Sequence, residues 1–170
     1  MFVLGLDAAS DWRSFGFAVG RIRSSRIHIQ AAGVLRSKQE PNALESVIAP
    51  IVRREVKALI AIDAPLGWHA QLGVALTKHH AGVSLSRTKE RLFHRETDDF
   101  VRAKIGKTPL EVGADKIARA AHSALEVLLK LRQLTGKPLP LVWNPVFEDA
   151  GVIEVYPAAT LRARGLVEFG

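Results

Sequence analysis

Cysteine is absent from the 170 residues. That absence excludes disulfides, thiolate zinc sites and cysteine nucleophiles, so any metal would have to be held by carboxylates or histidines. Long apolar runs are lacking too, and none approaches the roughly 20 residues that a membrane-spanning helix needs. The opening Met1-Phe2-Val3-Leu4 has neither the basic start nor the length of a secretion signal. There is no internal repeat, linker or low-complexity stretch, so a single domain over residues 1–170 is expected. A soluble, cytoplasmic protein with no membrane partner is the matching expectation; oligomeric state is left open.

What is present has the makeup of a globular domain with a real core, at 48% hydrophobic and 24% charged residues. Lys and Arg number 24 against 17 Asp and Glu, a formal net charge of +7. Such a surplus gives an average preference for polyanions and phosphate-bearing ligands, although many basic surfaces are only solvated.

Along the chain, FVLGLD (2–7), SFGFAVGRI (14–22) and IHIQAAGVL (27–35) read as three strands. Short loops, among them the polar turn Arg23-Ser24-Ser25-Arg26, would join them into an antiparallel meander. Asn42 is a helix cap with Glu45 three residues on, and Leu44, Val47, Ile48, Ile51 and Val52 continue at helical spacing. Pro50 is expected to kink or split that helix. LIAID (59–63) is a fourth strand, which the β-β-β-α-β order lets lie parallel to the first. Residues 65–109 show weak periodicity and read as irregular, partly helical cover. From Asp115, the stripe Ile117, Ala121, Ala124, Leu125, Leu128 and Leu131 predicts a long helix stopped by Thr135-Gly136-Lys137-Pro138. VIEV (152–155) is a last short strand, and Pro157 suits the first position of a closing helix.

Three of these strands carry acids at or near their carboxyl ends: Asp7, Asp63 and Glu154. In open α/β sheets ligands gather outside that edge, where the chain changes direction, here between the first and fourth strands. Asp7 and Asp63 would face each other there. Neighbouring strands lie roughly 4.8 Å apart, so two such carboxylates repel unless a cation or shared proton sits between them. Carboxylate oxygens suit magnesium or manganese, and two-metal sites serve phosphodiester hydrolysis by holding the attacking and leaving oxygens. The bland alternative is that each Asp caps the turn after it, Asp63 through the Leu66 and Gly67 amides.

Four separated blocks carry a resemblance: GLDAAS, IDAPLGW, RETDDFVRAKIGKTPLEVGADKIARAA and IEVYPAATLRARGL. In that order, over most of residues 3–166, they resemble the family catalogued as domain of unknown function 429, described as predicted ribonuclease H-like nucleases. The resemblance implies an α/β fold of the ribonuclease H-like kind, a mixed five-stranded sheet in the order 3-2-1-4-5 with flanking helices. It carries over Asp7, Asp63 and Glu154 as the acidic positions. The family's pattern runs on into a later helix with another aspartate, which this sequence, ending at Gly170, does not include; a shortened chain or a differently supplied last acid would account for that.

Between Arg87 and Lys107, seven basic residues stand against four acidic ones. Arg95, in the RETDD block, is a candidate phosphate contact because a guanidinium fits phosphate bidentately; a solvated helix face is the alternative. Arg87 joins it as a candidate for substrate binding, and Lys116, early in the long helix, is placed to aim an ammonium at a phosphate. Trp12 is suited either to stack on a base or to cover the core edge. His69, His79, His80 and His94 match no familiar zinc spacing.

The leading expectation is therefore a divalent-metal-dependent nuclease in which Asp7, Asp63 and Glu154 hold Mg2+ or Mn2+ and act on RNA or DNA. A nucleotide-binding phosphotransferase or ATPase of the actin-like class is the second reading, but Asp7-Ala8-Ala9-Ser10 lacks the glycine such phosphate loops need. A non-enzymatic nucleic-acid-binding module is the third.

Overall fold

Alternation builds the first strand. Phe2, Leu4 and Leu6 are buried and the residues between them less so, the period of a strand with one face on a core. The computed structural model describes residues 1–24, 26–36, 42–55, 57–85, 87–113 and 115–166. Ser25 of the polar turn, Ala114 of the third block and the terminal residues 167–170 lie outside these. No helix among the described residues is long and apolar enough to cross a membrane.

Among the described residues five strands are formed: β1 (Phe2–Asp7), β2 (Gly16–Arg23), β3 (Arg26–Val34), β4 (Ala58–Asp63) and β5 (Ala150–Glu154). They make one open mixed sheet in the order β3-β2-β1-β4-β5. The β1-β2 and β2-β3 pairs are antiparallel, while β4 runs parallel to both β1 and β5. This is the α/β class and strand order expected. The second strand starts at Gly16 rather than Ser14 because Trp12–Ser14 form a 3-10 turn, capped by Asp11, which accepts from the Arg13 amide at 3.0 Å.

Asn42 caps as expected, its side-chain oxygen accepting from the Leu44 amide at 3.0 Å. Pro50 splits the helical segment beyond that cap: Leu44–Ile48 wind as a π-helix, and α1 (Ala49–Arg54) takes Pro50 in its first turn. Proline has no N–H for the carbonyl four residues back and its ring crowds that carbonyl, so a wider turn ahead of it relieves the conflict. Helix α5 (Asp115–Thr135) runs to the predicted stop, where Gly136 takes the left-handed conformation, φ 72°. Together α1 and α5 cover one face of the sheet, closing Leu4, Leu6, Val19, Ile60 and Ile62 over Ile48, Val52, Ala124, Leu128 and Leu131.

The stretch from 65 to 109 resolves into α2 (Ala70–Leu76), α3 (Lys89–Phe93) and α4 (Glu96–Ile105), and α6 (Pro157–Ala163) comes after β5 with Pro157 at its start. The Pro-rich connection before β5 holds a surprise. Leu141 bridges to Val152 in parallel fashion, the Val142 amide donating to the Val152 carbonyl at 2.8 Å, so a loop segment partly shields the β5 edge.

Candidate active site

Strand register brings two of the acids together and sets the third beside them. Asp7 is the direct partner of Asp63 across the central parallel pair, and Glu154 lies beside Ile62 on the next strand. Because side chains alternate, both aspartates point away from the Leu6 and Ile62 core face, at the carboxyl edge where the chain leaves each strand. Asp7 is exposed and Asp63 is half-buried. Burial pushes the Asp63 carboxyl above its ordinary pKa, and the charges of Asp7 and Glu154 push it further the same way. This is a cluster of like charges on a rigid sheet edge.

The amide of Leu66, two residues beyond Ala64, donates to Glu154 Oε2 at 2.9 Å. The turn that Asp63 might have capped is thus held at Leu66 by Glu154 instead. Glu154 in turn faces Arg95, which spans the edge from the start of α4. Arg95 Nη1 donates to Glu154 Oε2 at 2.9 Å and Nη2 to Oε1 at 2.7 Å, a parallel fork. The other side of the same guanidinium is taken by Asp98, through Nε to Oδ2 at 3.0 Å and Nη2 to Oδ1 at 2.8 Å. Asp98 also accepts from the Arg95 backbone amide at 3.1 Å, half of a capping box. The Arg95 and Asp98 side chains are only 12% and 5% exposed. Burial works against the Arg95 charge, but the hydrogen bonds it donates to Glu154 and Asp98 outweigh it and hold the guanidinium above its ordinary range.

The candidate phosphate contact thus lies within the acidic edge with its fork occupied. Arg87, ahead of α3, and Lys116, in the first turn of α5, are exposed and make no hydrogen bond or ion pair with the three acids. Trp12 packs against the core, with Lys130 Nζ 5.1 Å from its ring centroid. His69 caps α2 by accepting from the Gln71 amide, and His94 lies between Glu111 (2.9 Å) and Asp99 (3.5 Å).

Two participants went unread in the sequence. Asp98 stands beside Arg95 in the RETDD block as one of the four acids that offset the basic residues there, without a role of its own in the sequence reading. Tyr156, the chain's one tyrosine, lies near Asp63: burial raises its phenol pKa, and the Asp63 charge adds to the shift. Its ring has Lys107 Nζ 5.9 Å from the centroid. A signal was available, since Tyr156 stands two residues past Glu154 in one matching block.

A family model described as Protein of unknown function (DUF429) matches residues 5–168. The chain belongs to this family. No curated protein and no solved structure matches it.

Asp7 and Asp63 supply the hard oxygen donors that Mg2+ or Mn2+ prefers, and their mutual repulsion is what such a cation relieves. Glu154 is committed elsewhere in this conformation. Among the described residues, no group of three or more His, Asp or Glu side chains is arranged to hold a metal ion. By donor chemistry, Asp7 and Asp63 would suit a divalent cation, and Glu154 would join them only by leaving Arg95.

Proposed function

We propose that this DUF429 chain is a divalent-metal-dependent phosphodiester hydrolase acting on nucleic acid, with Asp7, Asp63 and Glu154 as its acidic centre and Mg2+ or Mn2+ as its cofactor. The observation that carries the reading is the Asp7–Asp63 register pair, with Asp63 raised in proton affinity by burial and by its acidic neighbours. A strand edge holding like charges against their repulsion is a costly arrangement, and such costs cluster at functional sites.

Bound there, a divalent cation would polarise a phosphoryl oxygen and lower the pKa of a coordinated water. The chain's own part is to fix two carboxylates on adjacent strands, which sets their spacing without loop motion. Glu154 and Arg95 border the same edge. Exposed Arg87, Lys89, Arg91, Arg102 and Lys104 on the cover give a polyanion electrostatic footholds, in keeping with the net charge of +7. The Ala8-Ala9-Ser10 turn after Asp7 offers no glycine for close backbone approach to a nucleotide's phosphates, which weighs against the ATPase reading.

The test is cleavage of labelled single- and double-stranded RNA and DNA with Mn2+, alongside an ATP hydrolysis assay. Outer-shell changes at metal sites cost 10- to 100-fold, so Asp7→Asn or Asp63→Asn should cost at least about a hundredfold. Salt-sensitive binding without cleavage in any metal would leave a binding module, and ATP turnover without cleavage would move the chain to the phosphotransferase class.

A further inference from the structure

The ion pair that occupies Glu154 is itself informative. Arg95 is shared by two carboxylates that differ in every respect that matters for exchange. Asp98 is on the same helix, three residues on, and 5% exposed; Glu154 is on another element, 59 residues away, and 31% exposed. One partner is local and buried, and the other is reachable from outside. Glu154 also ends β5 in register with Ile62, the residue before Asp63, and accepts from the amide of Leu66 in the turn just after Asp63. Its carboxylate therefore stands between a guanidinium on one side and a cluster of negative charge on the other.

We propose, resting on the metal-dependent reading above, that Arg95 is a positioning residue that holds Glu154 in reserve and gives it up when a divalent cation binds at Asp7 and Asp63. The cation takes Glu154 as a further oxygen ligand. The half of the Arg95 fork that Glu154 vacates then faces the edge, still anchored through Nε and Nη2 to buried Asp98. The two non-bridging oxygens of a phosphodiester, like the carboxylate that left, can accept both N–H groups of the fork, and take its place. Cation and phosphate each remove one partner of the same ion pair, so each favours the other's binding. Linkage requires this coupling to be equal in both directions.

The exchange also accounts for Arg95 being almost buried in the resting state, which a residue serving only as a surface phosphate contact has no reason to be. In its resting form the pair covers a cation-seeking carboxylate with a tethered cation, which keeps Glu154 hydrogen-bonded.

Calorimetric titration of Mn2+ into wild type, Glu154→Gln, Arg95→Gln and the double variant tests the proposal without reference to turnover. Glu154→Gln should weaken Mn2+ binding by about tenfold or more. Arg95→Gln should tighten it several-fold, because Glu154 no longer has to be withdrawn from a partner. The double variant should bind like Glu154→Gln alone. Loss of a positive charge would by itself raise Mn2+ affinity at a distance, but that gain would persist in the double variant, and its persistence would overturn the exchange. Glu154→Gln keeps the size and shape of the side chain, so its result stands even if Arg95→Gln folds poorly: Mn2+ affinity equal to wild type makes Glu154 a structural tie and ends the proposal. A short oligonucleotide titrated with Ca2+ present should bind at least several-fold more weakly to Arg95→Gln. Mn2+ binding that is insensitive to Asp7→Asn and Asp63→Asn defeats the metal-centre reading itself, an outcome separate from intact binding that ignores Glu154.

Discussion

At the scale of the residue, Asp63 answers to two opposing demands. A carboxylate half-buried at a strand end, beside Asp7 and near Glu154, is more easily protonated than one in water. A folded-state pKa above the unfolded value of 3.8 means that protonation favours the fold. The contribution is fully present below about pH 4 and is lost as the pH rises through the raised value. Metal-free Asp63→Asn should consequently be more stable than wild type at pH 7, with the difference shrinking to nothing as the pH falls below 4. Asparagine is isosteric, and the Leu66 amide that might have been orphaned donates to Glu154, so the substitution removes charge without removing a cap at that position. Urea denaturation with chelator at pH 7 and at pH 3.5 checks this. A variant less stable than wild type at pH 7 would mean that Asp63 serves the fold, and the cluster would lose its functional meaning.

At the scale of the element, legibility depended on how locally each element is specified. The five strands, the long α5 and the cap at Asn42 each carry their own signature: two-residue alternation, an apolar stripe, a side-chain acceptor beside a helix start. The strand-end acids were legible for the same reason, since a carboxylate after an apolar run is a local anomaly. The Arg95–Glu154 pair was not, because its partners are 59 residues apart and only the tertiary fold brings the residue before α4 to the end of β5. Nor was the Leu141 bridge, which sits in a stretch whose prolines argue against a strand. Ser14 lies in a single 3-10 turn, which leaves no periodicity in the sequence to set it apart from the strand that follows. Within the meander, the register shifts between Val19 and Gly20, a bulge that brings the strands unusually close. A Cβ on Gly20 would lie 2.8 Å from the His28 carbonyl oxygen and 3.1 Å from Ile27 Cγ2. Backbone has little room to yield, so Gly20→Ala should cost about 1–3 kcal/mol, the range of overpacking. Thermal or urea melts read it directly, and a neutral result would mean the bulge adjusts freely.

At the scale of the whole molecule, the site and the fold share one free energy. The sheet carries Asp7 and Asp63 on its two central strands, the same β1 and β4 whose other faces form the middle of the core. Separating the carboxylates requires parting those strands, so a cation that bridges them binds the folded chain and not the unfolded one. A ligand selective for the native state stabilises it by RT ln(1 + [L]/Kd), about 2.7 kcal/mol at a hundred times Kd. For a chain of 170 residues, each kcal/mol moves the melting temperature by roughly 2–4 °C, so saturating Mn2+ should raise it by about 5–10 °C. Asp7→Asn leaves one anionic ligand of the pair and should lose most of that rise, while the chelated melting temperature stays level with wild type or above it. The two halves of this expectation separate the explanations. A capping or structural aspartate would lower the chelated melt and leave the Mn2+ response intact, and non-specific binding of Mn2+ to surface acids would raise both proteins alike. Melts of wild type and Asp7→Asn, with chelator and across a range of Mn2+, place the protein in one of these three cases, and only a wild-type rise that Asp7→Asn fails to reproduce is compatible with a metal centre at this edge.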